Sequence, residues 1–315
     1  MLLNYLIDSI ETHKDNFAIC CSDREVTYEE LGNIALSRSK DFTYREYVNL
    51  VVDDGIEFMF SFWSALLVGA IPIVTKTKSD IDLSAVGPHA EFINQTSGTT
   101  GKAKYMHKTP DVMYTRMEMS KSYLPFDVGQ ETLLSLAPMY HSMGLDHGMV
   151  QSVMCKSNFV YLNKFTPKRF FKEMSKYKPT IIQLGSPRNA NIILNHRDFD
   201  GTLFTNVKYT YSSGEPVSKE LKQRWQFATE SPLLEGLGCT EAGMITMETM
   251  PQRLGSVGKP IDPENFRIVD GEIQVRGDYV LFDARAGHHR DSGWYATGDL
   301  AKQDEQGYVY MSGRK

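Results

Sequence analysis

The most apolar stretch of the chain runs from Met59 to Val74, and it constrains the fold more than any other segment. It is too short to cross a bilayer, and Gly69 and Pro72 interrupt it, which predicts a buried helix passing into a strand. A Val-rich run from Val48 to Val52 precedes it and reads as a strand, followed by a helix from Gly55 to Val68 and a strand from Ile71 to Val74. Strand, helix and strand in that order make a βαβ unit. Such units give a parallel sheet whose working edge lies at the C-terminal ends of its strands.

The rhythm recurs. Strands are predicted at Thr132–Leu136, Asn158–Leu162, Thr180–Leu184 and Val207–Ser212, with helices at Gly144–Ser152, Pro167–Tyr177 and Ser218–Thr229. Thr27 and Glu30 form a capping-box pattern ahead of a helix from Tyr28 toward Ser39. After Pro251 the texture changes to short alternating segments, Phe266–Val269, Glu272–Val275 and Tyr308–Met311, separated by Gly and Asp turns. The expected organisation is an α/β core over residues 1–250 and a small antiparallel sheet or barrel over 251–315.

A length of 315 residues accommodates one large or two medium domains. Lys plus Arg at 34 against Asp plus Glu at 39 leaves a net charge of −5, with no bulk attraction to nucleic acid or anionic membrane. Cys20, Cys21, Cys155 and Cys239 show no CxxC or metal-ligand spacing, so they read as reduced thiols. Met1 to Ile10 carry neither a basic n-region nor a small-residue cleavage site. A cytoplasmic protein without a membrane span is the expectation.

The most informative local chemistry lies in Thr96-Ser97-Gly98-Thr99-Thr100-Gly101-Lys102-Ala103-Lys104, where four hydroxyls, two glycines and two lysines fall within nine positions. Glycines let backbone amides approach an anion, hydroxyls donate to its oxygens and a lysine neutralises charge. A polyphosphate is the natural guest, and a solvated Ser/Thr/Gly turn is the plain alternative. A Walker loop is excluded, because only two residues separate Gly98 from Gly101 and Ala103 follows Lys102.

This loop resembles the phosphate loop of the adenylate-forming superfamily, close to [ST]-[ST]-G-[ST]-T-G-x-P-K-G, with Ala103 and Tyr105 departing from it. Four further segments follow in that superfamily's order. Pro138-Met139-Tyr140-His141-Ser142-Met143-Gly144-Leu145 is similar to P-x-x-H-x-x-G-L, and Ser213-Gly214-Glu215-Pro216 to G-[GA]-[EA]-P. Gly236-Leu237-Gly238-Cys239-Thr240-Glu241 resembles Y-G-x-T-E, and Tyr295-Ala296-Thr297-Gly298-Asp299-Leu300 resembles Y-x-T-G-D. The resemblance implies the layered α/β sheets of an acyl-CoA synthetase N-terminal domain with a small β-barrel-like subdomain.

It also implies roles. Thr96, Ser97, Gly98, Thr99, Thr100, Gly101 and Lys104 would embrace the phosphates of ATP, while Gly214, Glu215, Pro216 and Leu237 would flank adenine. Thr240 would bind the α-phosphate, Glu241 would hold Mg²⁺, and Asp299 with Arg314 would hold the ribose. His141, Gly236 and Gly238 would line the acyl pocket. Leu237 replaces the usual stacked Tyr or Phe, which removes a ring-specific attraction of roughly 0.5–1.5 kcal/mol. Met139, Met143, Met149 and Met154 are either an adaptable pocket lining or plain core.

The segment ahead of the loop is shorter than in most such enzymes, which predicts a trimmed sheet face. Ser312-Gly313-Arg314-Lys315 is similar to the start of the superfamily's hinge, beyond which a lysine-bearing C-terminal domain follows. The chain therefore reads as a domain cut from a longer protein, slow or inactive alone, with a naturally short or split chain as the alternative. The implied activity is carboxylate activation by an acyl-CoA synthetase, with a fatty or aryl acid as substrate and coenzyme A, or a carrier protein's phosphopantetheine, as acceptor. An amino- or aryl-acid adenylation domain and a nucleotide- and acyl-binding module without chemistry stay open as alternatives.

Overall fold

The computed structural model describes residues 2–78, 81, 90–97, 103–250, 252–281, 290–291 and 293–315. The chain divides into two compact units, Met1–Met117 with Phe126–Thr166, and Glu118–Pro125 with Pro167–Lys315.

The first unit opens with α1 (Leu2–His13), the antiparallel pair β1 (Phe17–Cys21) and β2 (Arg24–Thr27), and α2 (Tyr28–Arg38). The capping box forms as expected: Glu30 N–H donates to the Thr27 hydroxyl at 3.2 Å, and Thr27 N–H donates to the Glu30 carboxylate at 2.9 Å. Next come β3 (Tyr47–Val51), α3 (Gly55–Leu67) and β4 (Ile71–Thr75), with β3 and β4 parallel from Tyr47↔Ile71 to Val51↔Thr75. Asp54 starts α3 by accepting from the Ile56 and Glu57 amides. The apolar run is thus a buried helix entering a buried strand, and Gly69 at φ +74° makes the left-handed turn between them.

β5 (Phe92–Ser97) lies parallel to β4, and β6 (Ala103–Lys108) returns antiparallel to β5, completing a four-stranded sheet. α4 (Pro110–Tyr123) precedes β7 (Thr132–Ser135). The helix expected at 144–152 is compound: α5 (Ser142–Gly144), a π-helical segment (Leu145–Val150) and α6 (Gln151–Met154). β8 (Asn158–Tyr161) then pairs parallel with both β7 and β1.

The second unit contains α7 (Pro167–Tyr177), β9 (Ile181–Gln183), α8 (Pro187–Leu194), β10 (Tyr209–Ser213), α9 (Lys219–Thr229) and β11 (Leu233–Cys239). β9, β10 and β11 are parallel, so the C-terminal edge anticipated for motifs exists here. β12 (Gly243–Met247) folds back on β11, and β13 (Lys259–Pro260) pairs with β12. Beyond lie β14 (Phe266–Val269), β15 (Glu272–Val275), β16 (Arg290–Asp291), β17 (Trp294–Gln303) and β18 (Val309–Arg314), all antiparallel. Ile245 of β12 packs in one apolar cluster with Phe266, Ile273, Val275, Tyr295 and Val309, which joins this sheet to the β11–β12 hairpin.

All four cysteines are free thiols. Among the described residues no helix is long and apolar enough to cross a membrane.

Candidate nucleotide and acyl site

In the first unit the glycine-rich loop joins two antiparallel strands. Thr96 pairs with Lys104 and Ser97 with Ala103 at the open end of the β5–β6 ladder. Gly98, Thr99, Thr100 and Gly101 lie outside the described residues. Their flanks fix the two ends of the loop at adjacent ladder positions.

The Pro138–Leu145 segment is a tight turn. His141 N–H donates to the Pro138 carbonyl at 3.0 Å, and Leu145 N–H donates to the His141 carbonyl at 2.9 Å. A Cβ on Gly144 would collide with the carbonyl oxygens of Ala137 and Pro138, so the backbone crossing itself requires glycine there. His141 is exposed at the start of α5, and its ring centroid lies 4.7 Å from that of Tyr140. Partial desolvation of the ring, and then the Lys76 ammonium, hold its pKa below the ordinary histidine value. Met139, Met149 and Met154 are buried in the core.

Behind this turn lies an ion cluster that the sequence did not disclose. Lys108 of β6, fully buried, reaches Asp146 of the π segment at 2.8 Å, with Arg116 of α4 at 3.8 Å from the same oxygen. The Lys108 ammonium also lies 3.4 Å from the Ser142 hydroxyl. The partners stand 38 and 30 positions from Asp146, so no local spacing announces the cluster. The lone signal is an aspartate within the largely apolar stretch from Met143 to Met154.

The second unit holds three of the predicted segments, two of them at neighbouring strand ends. β10 ends at Ser213, level with Gly236 of β11, so the Gly214-Glu215-Pro216 turn and the Gly236–Glu241 segment leave one sheet edge side by side. Gly214 takes φ +91°. The Glu215 carboxylate accepts from the Ser186 hydroxyl at 2.9 Å. A Cβ on Gly238 would come 2.6 Å from the Gly243 carbonyl oxygen, and one on Gly236 would come 2.8 Å from the Met244 sulfur. The backbone clash makes Gly238 a requirement of the β11–β12 hairpin, whose register shifts between Leu237 and Gly238, while Gly236 is crowded mainly by methionine side chains. The half-buried Leu237 packs on the apolar cluster below, and Thr240 and Glu241 occupy the hairpin turn.

Asp299 sits on β17 opposite Arg314 of β18, with Nε and Oδ1 3.9 Å apart. Burial raises the Asp299 pKa, and Arg314 opposes the rise, while Glu241 and Glu272 lie close enough to add to it. That electrostatic reach places Glu241 and Asp299 in one neighbourhood of this unit. The turn carrying Asp299 is held from two sides: Gly298 N–H donates to Glu272 at 3.0 Å, and the Thr297 hydroxyl accepts from Asp299 N–H at 3.1 Å.

Beneath the β10 and β11 ends lies a second buried cluster absent from the sequence reading. Lys222 of α9 lies 2.8 Å from both Glu235 and Glu248. Glu235 also accepts from the Val217 N–H at 3.1 Å, which ties the Gly214–Pro216 turn to β11.

Among the described residues no group of three or more His, Cys, Asp or Glu side chains is gathered for a metal ion. Magnesium characteristically takes one or two carboxylates and completes its shell with waters and phosphate oxygens. A single carboxylate such as Glu241 fits that pattern when a nucleotide supplies the rest.

A profile of the AMP-binding enzyme family matches residues 84–280. Long-chain-fatty-acid–CoA ligases of Yersinia pestis and Bacillus subtilis are each 29% identical to the chain, over 71% of it and over 44% and 43% of their own lengths. A 3-hydroxybenzoate–CoA ligase of an Aromatoleum species is 28% identical over 70% of the chain and 45% of its own. The chain thus spans less than half the length of these curated relatives. Among solved structures, the O-succinylbenzoate coenzyme A synthetase of Bacillus subtilis, in complex with ATP and magnesium ion, superposes with a TM-score of 0.84 at 19% identity, covering 99% of this chain and 79% of that one. An anthranilate CoA ligase in complex with anthranoyl-AMP gives 0.82 at 18% identity, covering 99% and 77%. The fold is that of adenylate-forming N-terminal domains, and the chain belongs to the AMP-binding enzyme family.

Proposed function

We propose that this chain is the AMP-binding core of an ATP-dependent carboxylate-activating ligase of the acyl-CoA synthetase type, acting in the cytoplasm on a fatty or other acyl acid. One observation carries the reading: the Gly214–Pro216 turn, the Gly236–Glu241 segment and the Asp299–Arg314 pair share the second unit, with Glu241 and Asp299 in electrostatic reach. By the family resemblance, the three would meet the base, the ribose diol and the anionic centre of one nucleotide.

In the reaction, a carboxylate oxygen bonds to the α-phosphorus of ATP as the bond to pyrophosphate breaks, giving an acyl-adenylate. A thiol of coenzyme A, or of a carrier protein's phosphopantetheine, then displaces AMP. The chain's part is positioning and charge stabilisation. Gly214, Glu215, Pro216 and Leu237 flank the base, Asp299 as carboxylate accepts from the ribose hydroxyls, and Thr240 donates to the α-phosphate. Thr96, Ser97, Gly98, Thr99, Thr100, Gly101 and Lys104 enclose the outer phosphates. His141, Gly236 and Gly238 border the acid. Magnesium, held at Glu241, would offset phosphate charge.

Carboxylate-dependent ATP–pyrophosphate exchange, measured with the family's lysine-bearing C-terminal domain supplied in trans, tests this. Exchange with a fatty or aryl acid supports the ligase reading. AMP binding without exchange across fatty, aryl and amino acids supports a binding module without chemistry. A chain that binds no adenine nucleotide refutes both.

A further inference from the structure

The turn that carries His141 lies beside an unassigned cation. Lys76 follows β4 at the C-terminal edge of the parallel pair β3–β4, the edge where α/β sheets place ligands. Its side chain is exposed, and its ammonium lies 5.7 Å from the Tyr140 ring centroid. Among the described residues Lys76 has no carboxylate partner. The neighbouring ion cluster tips the same way: His147, in the π segment, is within reach of Asp146, Arg116 and Lys108, one anion against two cations. An exposed ammonium stacked on a tyrosine, beside a histidine kept neutral, presents one charge and polar ring edges to solvent.

We propose that Lys76, Tyr140 and His141 form a binding site for an oxyanion, either a second carboxylate on the acid being activated or a phosphate on the acceptor thiol. The inference rests on the ligase reading above and adds a ligand chemistry to its acyl end. Lys76 supplies the charge. The Tyr140 hydroxyl and a His141 ring N–H supply directional donors, and Tyr140 holds the ammonium stem in place by a cation–π contact. Bound charge at this place would also reverse the influence of Lys76 on His141, so oxyanion binding and His141 protonation are linked.

Two paired comparisons and one titration test the proposal on the intact chain. Binding is read by calorimetry for glutarate against butanoate, and for coenzyme A against unphosphorylated pantetheine. The His141 titration is followed by NMR in the wild type and in Lys76→Met. At least one charged ligand should bind about tenfold tighter than its control, the effect of one charge-assisted contact. A preference for glutarate assigns the oxyanion to the acid, and a preference for coenzyme A assigns it to the acceptor. Lys76→Met should remove the preference, Lys76→Arg should keep most of it, and His141 in Lys76→Met should titrate at higher pH than in the wild type. Equal binding within both pairs, or a preference that survives Lys76→Met, overturns the proposal. AMP binding by the wild-type chain is measured alongside. A chain that binds AMP but shows no preference overturns this inference alone, and one that binds no AMP overturns the ligase reading.

Discussion

A carboxylate proposed to accept hydrogen bonds from a ribose works only when ionised, and the environment of Asp299 opposes ionisation. Its pKa is raised, first by burial, and Arg314 partly restores the charged form. AMP affinity should therefore fall as pH drops through that raised value, above the ordinary aspartate range of about 4. Removing Arg314 by Arg314→Gln takes away the opposing charge, so the acid limb of affinity should move to higher pH. Asp299→Asn should weaken binding and flatten the limb. Calorimetric titration with AMP across that range checks all three, and a limb that stays in Asp299→Asn would assign it to another group. The Arg314 side chain is 68% exposed, so the pair adds little to stability and its loss should show in binding rather than folding. Gly144 is the opposite case. A Cβ there meets two backbone carbonyl oxygens, which cannot swing aside as a side-chain tip can. Gly144→Ala should cost about 1–3 kcal/mol in urea unfolding, the usual range for overpacking.

At the scale of elements, the two buried ion clusters give contrasting expectations. Lys108 and Asp146 are fully desolvated, so Asp146→Leu leaves a buried ammonium facing Arg116 and should destabilise the fold by about 3–5 kcal/mol. Lys108→Met combined with Asp146→Leu should recover the part of that loss due to the unpaired ammonium, while buried Arg116 still lacks its carboxylate. Denaturant unfolding of the two singles and the double closes the cycle, and additive losses would refute the coupling. In the other cluster Glu248 shares Lys222 with Glu235. Its Oε1 is buried without a hydrogen-bond partner among the described residues, and burial raises its pKa against the pull of Lys222. The folded chain therefore holds that proton more tightly than the unfolded chain. The contribution is favourable below the ordinary glutamate range and declines as pH rises through the raised value. Glu248→Gln should remove this decline, which stability curves measured on either side of that window would reveal.

These clusters also mark where local sequence stops being informative. The capping box at Thr27, the apolar run into β4 and the paired strands at 266–269 and 272–275 were legible, because neighbours in sequence decide them. β6 was not, since Ala-Lys-Tyr-Met-His-Lys alternates no clear apolar face and Lys108 is buried against a carboxylate distant in sequence. α4 escaped for a related reason: Arg116 lies on its buried side, which a polarity pattern assigns to solvent. The Leu145–Val150 stretch reads as helix in either case, and its wider π turn is not encoded in apolar spacing. In the candidate site, the motif glycines were visible from sequence, but their structural duty was not. Gly238 is required by hairpin packing whether or not an acid ever lies beside it.

Across the whole molecule the predicted phosphate loop belongs to one compact unit, while the base, ribose and α-phosphate segments belong to the other. The two sets of segments can therefore be tested separately, by varying the phosphate number of the nucleotide. AMP offers a base, a ribose and one phosphate, so it should slow amide exchange in the second unit, at 213–217, 236–242 and 297–299. ATP adds two phosphates, and protection should then extend to amides in 96–104 of the first unit. Both nucleotides should raise the melting temperature by mass action, about 2.7 kcal/mol of stabilisation at a hundredfold excess over Kd. A thermal shift alone cannot locate the phosphates, whereas exchange can. If ATP protects the second unit exactly as AMP does and leaves 96–104 unchanged, the glycine-rich hairpin connection is an ordinary turn. The nucleotide reading would then rest on the second unit alone, and Lys104→Met would leave ATP affinity unchanged.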